Sequence, residues 1–91
     1  MNLSLEGKIA IVTGGSKGIG RATALALAQE GVDVAICARG MEDLEDAAAE
    51  IRTATGRNVL AVQADMGNPD DIKNLVATTV AELGGVDILI N

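Results

Sequence analysis

The feature that most constrains the fold of this chain is a junction near its start. The apolar run Lys8 to Thr13 (KIAIVT) passes through Gly14 and Gly15 into Gly18 to about Gln29, a segment rich in Ala and Leu. A short β-branched run ending in glycines reads as a buried strand. The segment after it has helical propensity, with Gly31 as its C-terminal stop. Ala22, Ala26 and Ala28 mark that helix as one packed close to a sheet. The alternation then repeats. Asp33 to Ala38 (DVAICA) is a second strand, and Met41 to about Thr53 a second helix, closed by Gly56. Leu44, Ala47, Ala48 and Ile51 recur on one face of that helix and its acids lie on the other. Asn58 to Gln63 (NVLAVQ) is a third strand. Asn68 then suits an N-cap, Pro69 the first helical position, and Asp70 and Asp71 the positive end of the dipole. Ile72, Leu75, Val76, Thr79, Val80 and Leu83 form one stripe expected to face the sheet, Gly84-Gly85 ends the helix, and Val86 to Ile90 begins a fourth strand. Strands joined by helices pair in parallel through right-handed crossovers. The expectation is an α/β fold, a doubly wound parallel sheet in the order β-α-β-α-β-α-β truncated after the fourth strand, with residues 1–91 the N-terminal part of one domain.

Composition narrows what such a domain can do. The chain has no Phe, Trp, Tyr or His, which removes a His base, a His-containing metal site, a Tyr acid and base-stacking aromatics. Seven Lys and Arg against thirteen Asp and Glu give a net charge of −6. An acidic surface of this kind lacks the cations that bind nucleic acid or an anionic membrane, so neither is an expected partner. The single cysteine, Cys37, cannot form an internal disulfide. Its place on a strand between Ile36 and Ala38 suits a core thiol rather than a nucleophile. Glu42, Asp43, Glu45, Asp46 and Glu50 read as a solvated helix face, not a metal site. No apolar run approaches the ~18–20 residues of a membrane span, and the start has no basic region followed by an apolar stretch. A cytoplasmic location is the expectation.

The chemistry concentrates in the junction Thr13-Gly14-Gly15-Ser16-Lys17-Gly18-Ile19-Gly20. Glycines at a strand end let the backbone turn and approach a ligand with no Cβ in the way. The helix start beyond offers unpaired N–H groups and a positive dipole end, a combination that holds a diphosphate. Lys17 precedes Gly18 and no Gly-Lys-Ser/Thr follows, so this is not a triphosphate-cradling loop. NAD-type sites place an acid at the end of the second strand, whereas an Arg there accepts a 2′-phosphate. The acid of this strand, Asp33, stands at its opposite end, roughly 17–20 Å away for a six-residue strand. Ala38 and Arg39 occupy the carboxyl end, and Lys17 offers a second cation. This favours NADP over NAD.

Thr13-Gly14-x-x-x-Gly18-x-Gly20 resembles the cofactor loop of the short-chain dehydrogenase/reductase family, whose cofactor domain is of the Rossmann type. Ala38-Arg39 looks like that family's NADP-selecting end of strand two. Ala64-Asp65-Met66 is similar to its segment after strand three, where the Asp side chain meets the adenine. Asp87-Ile88-Leu89-Ile90-Asn91 resembles the approach to its Asn-Asn-Ala-Gly motif, cut after the first Asn. The resemblance covers the whole chain. It implies cofactor roles for Gly14, Ser16, Lys17, Gly18, Ile19, Gly20, Arg39, Asp65, Met66 and Asn91. Asp65 and Asn91 also lie at strand carboxyl ends, where open α/β sheets bind ligands. Asp65 alone reads equally as a cap or turn residue.

The family's catalytic Ser, Tyr-x-x-x-Lys pair and supporting Asn fall beyond the last residue of this chain, so no catalytic residue is assigned here. The expectation is the N-terminal part of a longer NADP-dependent oxidoreductase, with the 91 residues inactive alone. In general appearance it is closest to bacterial 3-oxoacyl-(acyl-carrier-protein) reductases, and sugar and other alcohol dehydrogenases share this half. The implied substrate is a small-molecule or acyl-carrier-bound carbonyl, and the implied assembly of the complete protein a homo-oligomer. The alternative is a non-catalytic NADP-binding module, or a fragment completed by a partner chain.

Overall fold

The computed structural model describes residues 5–91. The element order is β1 (Ile9–Thr13), α1 (Gly18–Gln29), β2 (Asp33–Ala38), α2 (Met41–Thr55), β3 (Val59–Gln63), α3 (Pro69–Leu83) and β4 (Ile88–Ile90). The four strands form one parallel sheet in the order β3-β2-β1-β4. The chain builds outward from β1 to β3, then crosses back to lay β4 on the other side of β1. Right-handed crossovers therefore place α1 and α2 on one face and α3 on the other.

Alternation along each strand sorts the core accordingly. Ala10, Val12, Val34, Ile36 and Val59 pack with Ala24 and Ala28 of α1 and with Leu44, Ala47, Ala48 and Ile51 of α2. Ile11, Ala35, Cys37 and Val62 point the opposite way and pack with Leu75 of α3. Three helix-end devices read from the sequence are present. Asn68 accepts a hydrogen bond from the Asp70 amide at 2.9 Å, and Gly56 and Gly84 adopt left-handed φ of 70° and 101° at the ends of α2 and α3.

Three expectations need correction. On α1, Ala22 and Ala26 are exposed, and Ala24 and Ala28 make the close packing; alanine tolerates either face, so its count does not fix the rotation of the helix. On α3, the expected single stripe is two rows. Leu75 and Thr79 are buried, whereas Ile72, Val76 and Val80 remain 36%, 43% and 47% exposed. Adjacent rows on a helix point 60–100° apart, so a helix lying on a sheet covers one of them. The Thr79 hydroxyl is accommodated by donating to the Leu75 carbonyl at 2.7 Å. The fourth strand, finally, begins at Ile88 rather than Val86; it lies at one end of the sheet beside β1, with Leu89 60% exposed.

Candidate functional site

Strand order reverses between β1 and β4, and the carboxyl ends of these strands carry the glycine loop and Asn91. Open α/β sheets bind ligands at such a reversal. The Thr13 side chain joins the two ends, its hydroxyl lying 3.2 Å from both the Ile90 carbonyl and Asn91 Oδ1. The sequence carries no signal for this contact, because only the parallel β1–β4 register brings the two residues together.

The loop leaves β1 with Gly14 at φ 67°, and Gly18 has φ 57° at the first residue of α1. Both lie in the left-handed region that disfavours a Cβ. The other two glycines are required for clearance. A Cβ at Gly20 would run into the Gly14 carbonyl oxygen, and one at Gly15 would lie 2.7 Å from Ile36 Cβ. The Gly15 amide donates to the Cys37 carbonyl at 3.2 Å, which carries the β1–β2 ladder into the loop. Lys17 is the extended N-cap of α1, and no side chain caps this end. The first bond of the helix runs from the Arg21 amide to the Lys17 carbonyl, 3.3 Å. The amides of Gly18, Ile19 and Gly20 precede it and have no intrahelical partner. Ile19 is 86% exposed, a large apolar side chain that the core does not use.

A cleft of about 330 Å³ opens beside the loop, lined by Gly14, Cys37, Ala38, Arg39, Ala64, Asp65, Met66 and Gly67. It brings together Gly14, Arg39, Asp65 and Met66 among the residues singled out from the sequence. Ser16, Lys17, Gly18, Ile19 and Gly20 continue the loop beyond Gly14 and are not among the cleft's lining residues, and Asn91 stands at the reversal point. The backbone at Arg39 is held by Gln63, whose Nε2 donates to the Arg39 carbonyl at 2.8 Å. Asp65 forms the turn after β3: its Oδ1 accepts from the Gly67 amide at 2.9 Å, and its own amide donates to Asp71 Oδ2 at 2.8 Å. Burial pushes the Cys37 thiol above its ordinary value of 9.0, with a backbone hydrogen bond to Gly14 opposing the shift. The thiol is fully buried and lies 3.8 Å from the Met66 sulfur. It is a core group facing the cleft floor.

Two ion pairs bind this region to α2, and neither is visible in the sequence. Lys17 Nζ lies 3.1 Å from Asp43 Oδ2, and Arg21 Nη2 lies 2.7 Å from Glu50 Oε2. Arg21 also donates through Nη1 to the Ser16 carbonyl at 3.4 Å, so it touches the loop itself. The acidic face of α2 is therefore partly a counter-ion surface for the loop. Among the described residues no group of acids, His or Cys is arranged to hold a metal ion, and no helix is long and apolar enough to cross a membrane.

A larger hollow of about 380 Å³ sits at the opposite, amino end of the strands, lined by Arg52, Gly56, Arg57, Asn58, Val59, Leu60, Glu82 and Leu83. Size does not make it the better site. Arg52 Nε donates to the Val59 carbonyl at 2.9 Å and Arg57 Nη2 is paired with Asp33 at 3.0 Å, so both cations already serve the fold, although the buried Arg57 Nε has no hydrogen-bond partner among the described residues. The negative ends of α2 and α3 point toward it, which disfavours an anion.

A parallel sheet with a reversal of strand order, and a glycine loop opening a helix at that reversal, defines a Rossmann-type domain. Residues 8–91 match the short chain dehydrogenase family. The chain is 42% identical over 84 residues to a 3-oxoacyl-(acyl-carrier-protein) reductase of Staphylococcus epidermidis, covering 92% of this chain and 34% of the relative. Its fold superposes with a TM-score of 0.96 on L-sorbose reductase from Gluconobacter frateurii, solved with NADPH and L-sorbose, at 36% identity over 100% of this chain and 35% of that one. Glucose dehydrogenase of Caenorhabditis elegans, solved in its apo form, gives a TM-score of 0.89 at 41% identity, covering 96% and 38% of the two chains. The chain belongs to the short-chain dehydrogenase/reductase family of oxidoreductases, and it spans about a third of the length of these relatives.

Proposed function

We propose that this chain is the cofactor-binding half of an NADP-dependent oxidoreductase that moves hydride between NADP(H) and a carbonyl or alcohol substrate. The observation that carries the proposal is the end of β2. Arg39 borders the cleft beside the glycine loop and makes no ion pair among the described residues, and the acid of the same strand, Asp33, is tied to Arg57 at the far end. An Arg without a partner and without a neighbouring acid on its strand suits a 2′-phosphate rather than a free ribose hydroxyl. The L-sorbose reductase solved with NADPH supports the same choice.

In this reading the unpartnered amides at the start of α1 hold the diphosphate, with Gly14, Ser16, Gly18 and Gly20 allowing the close approach and Ile19 covering it. Arg39 and Lys17 receive the 2′-phosphate. Asp65 and Met66 border the adenine, and Asn91 lies toward the reacting end at the reversal point. When bound, the cofactor supplies the hydride; the chain positions it and excludes water from its phosphates.

The substrate is a carbonyl compound, free or carried as an acyl thioester, as the acyl-carrier-protein reductase relative suggests. A cytoplasmic homo-oligomer is the form proposed for the complete protein. A second reading is a nucleotide-binding module without catalysis of its own. NADPH oxidation by the full protein with keto substrates separates the two. For the cofactor assignment, Arg39→Ala should weaken NADPH binding by about tenfold or more, the worth of a charged hydrogen-bonded contact, and leave NADH little changed. Equal losses with both cofactors would remove Arg39 from the 2′-phosphate.

A further inference from the structure

Two cations are assigned to the 2′-phosphate in that reading, and they are in different states. Arg39 has no acidic partner among the described residues, whereas the Lys17 ammonium already has one, Asp43 Oδ2 at 3.1 Å. Asp43 lies in the first turn of α2, which starts two residues after Arg39. There it also faces the positive end of the helix dipole, a position that favours a carboxylate. The chain thus keeps a negative charge of its own beside the place where a cofactor phosphate would arrive.

From this pairing we infer that Asp43 is a specificity-determining residue, the counter-ion that Lys17 leaves in order to receive a 2′-phosphate. The inference rests on the NADP reading above. A cofactor without the phosphate leaves the Lys17–Asp43 pair intact and meets no opposition. A cofactor with it must take Lys17 from Asp43 and then tolerate the freed carboxylate nearby. Asp43 therefore lowers affinity for NADP selectively and narrows the gap between NADP and NAD. The pair is solvent-exposed, with side chains 76% and 56% accessible, so the effect is modest in size. Exposed pairs of this kind correspond to about a two- to fivefold change in an equilibrium constant. The second pair, Arg21–Glu50, lies about a turn along α1 and two turns along α2 from the first. That pair, and the shared core of Ala24 and Ala28 with Ala47 and Ala48, remain when Lys17 changes partner, so the loop does not depend on Asp43 for its place.

The test is equilibrium binding of NADP+ and NAD+ to the full protein by titration calorimetry, which needs no turnover. Asp43→Asn is expected to tighten NADP+ by about two- to fivefold and to leave NAD+ unchanged. In a Lys17→Met background the same substitution should have a clearly smaller effect. An Asp43→Asn variant with unaltered or weakened NADP+ affinity overturns the inference. So does one in which both cofactors shift alike, since that marks a structural role, or one whose effect persists in full without Lys17. Failure of the underlying reading looks different. There the unsubstituted protein binds NADP+ no more tightly than NAD+, Arg39→Ala weakens both equally, and both proposals fall. Preference for NADP+ that disappears with Arg39→Ala yet ignores Asp43→Asn overturns only the second.

Discussion

At the amino end of the sheet the acids are committed to the fold. Asp33 accepts from Arg57 at 3.0 Å and from the Asn58 amide at 3.3 Å, while Asp87 accepts from the Ile9 amide at 2.9 Å and returns its own amide to the Ile9 carbonyl at 2.8 Å. At the carboxyl end the balance is reversed. Glycines replace side chains, the first amides of α1 have no intrahelical partner, Arg39 has no counter-ion among the described residues, and Ile19 projects outward. One end ties its acids into the fold, and the other leaves Arg39 without a counter-ion and the first amides of α1 without intrahelical partners. An unsatisfied group costs stability where it is buried and is cheap where water or a ligand reaches it. The contrast marks the carboxyl end as the candidate binding end.

The strongest way to break this comparison is at Gly20. A Cβ there meets the Gly14 backbone carbonyl, which cannot swing aside as a flexible side chain would. Gly20→Ala is expected to cost ~1–3 kcal/mol of stability in urea denaturation, and to weaken nicotinamide cofactor binding by more than about tenfold. Cofactor affinity that survives the substitution would mean that the loop geometry is not what binds. The converse test is at the other end. Asp87→Ala removes the acceptor of the Ile9 amide and should cost ~0.5–1 kcal/mol, read as a lower urea midpoint with cofactor affinity unchanged. A parallel fall in affinity would show that the two ends are not separable. The smallest effect concerns Cys37. Its folded-state thiol holds the proton more tightly than an unfolded one, so the stability it contributes is fully present below pH 9.0 and is lost as pH rises through the folded value. As pH rises from 8 to 10 the urea midpoint should fall by slightly more in the parent than in Cys37→Ala. Identical falls would mean that burial does not hold the thiol neutral.

Much of this molecule is legible in its sequence, for reasons that can be stated residue by residue. Leu44, Ala47, Ala48 and Ile51 are all buried as their spacing requires, since α2 meets the sheet along one row. The six residues of β2 keep the bounds their apolar run suggests, because this strand is paired on both sides. Periodicity is less informative on α3: it reports that Ile72, Val76 and Val80 are apolar, but not whether anything lies opposite them. The glycine loop is legible as a loop and less so glycine by glycine. Gly14 and Gly18 are needed for their φ, whereas Gly15 and Gly20 are needed for the space beside Ile36 and the Gly14 carbonyl. Clearance of that kind depends on a second segment, and a local pattern does not contain it. The same holds for Lys17 with Asp43 and Arg21 with Glu50, which meet only because α1 and α2 lie side by side on one face.

The register of β1 has a temporal consequence. Its inner neighbour, β2, follows after one helix, but its outer neighbour is β4, and the contacts of Ile9 with Asp87 and of Thr13 with Ile90 join residues 78 and 77 positions apart. Closing so long an interval is slow relative to local pairing. During synthesis at ~5–20 residues per second, β1 leaves the ribosome roughly 4–16 s before the strand that completes it. For that interval an internal strand of the sheet is an edge, and what shields its open side in the cell must act before the last residues of this segment are made.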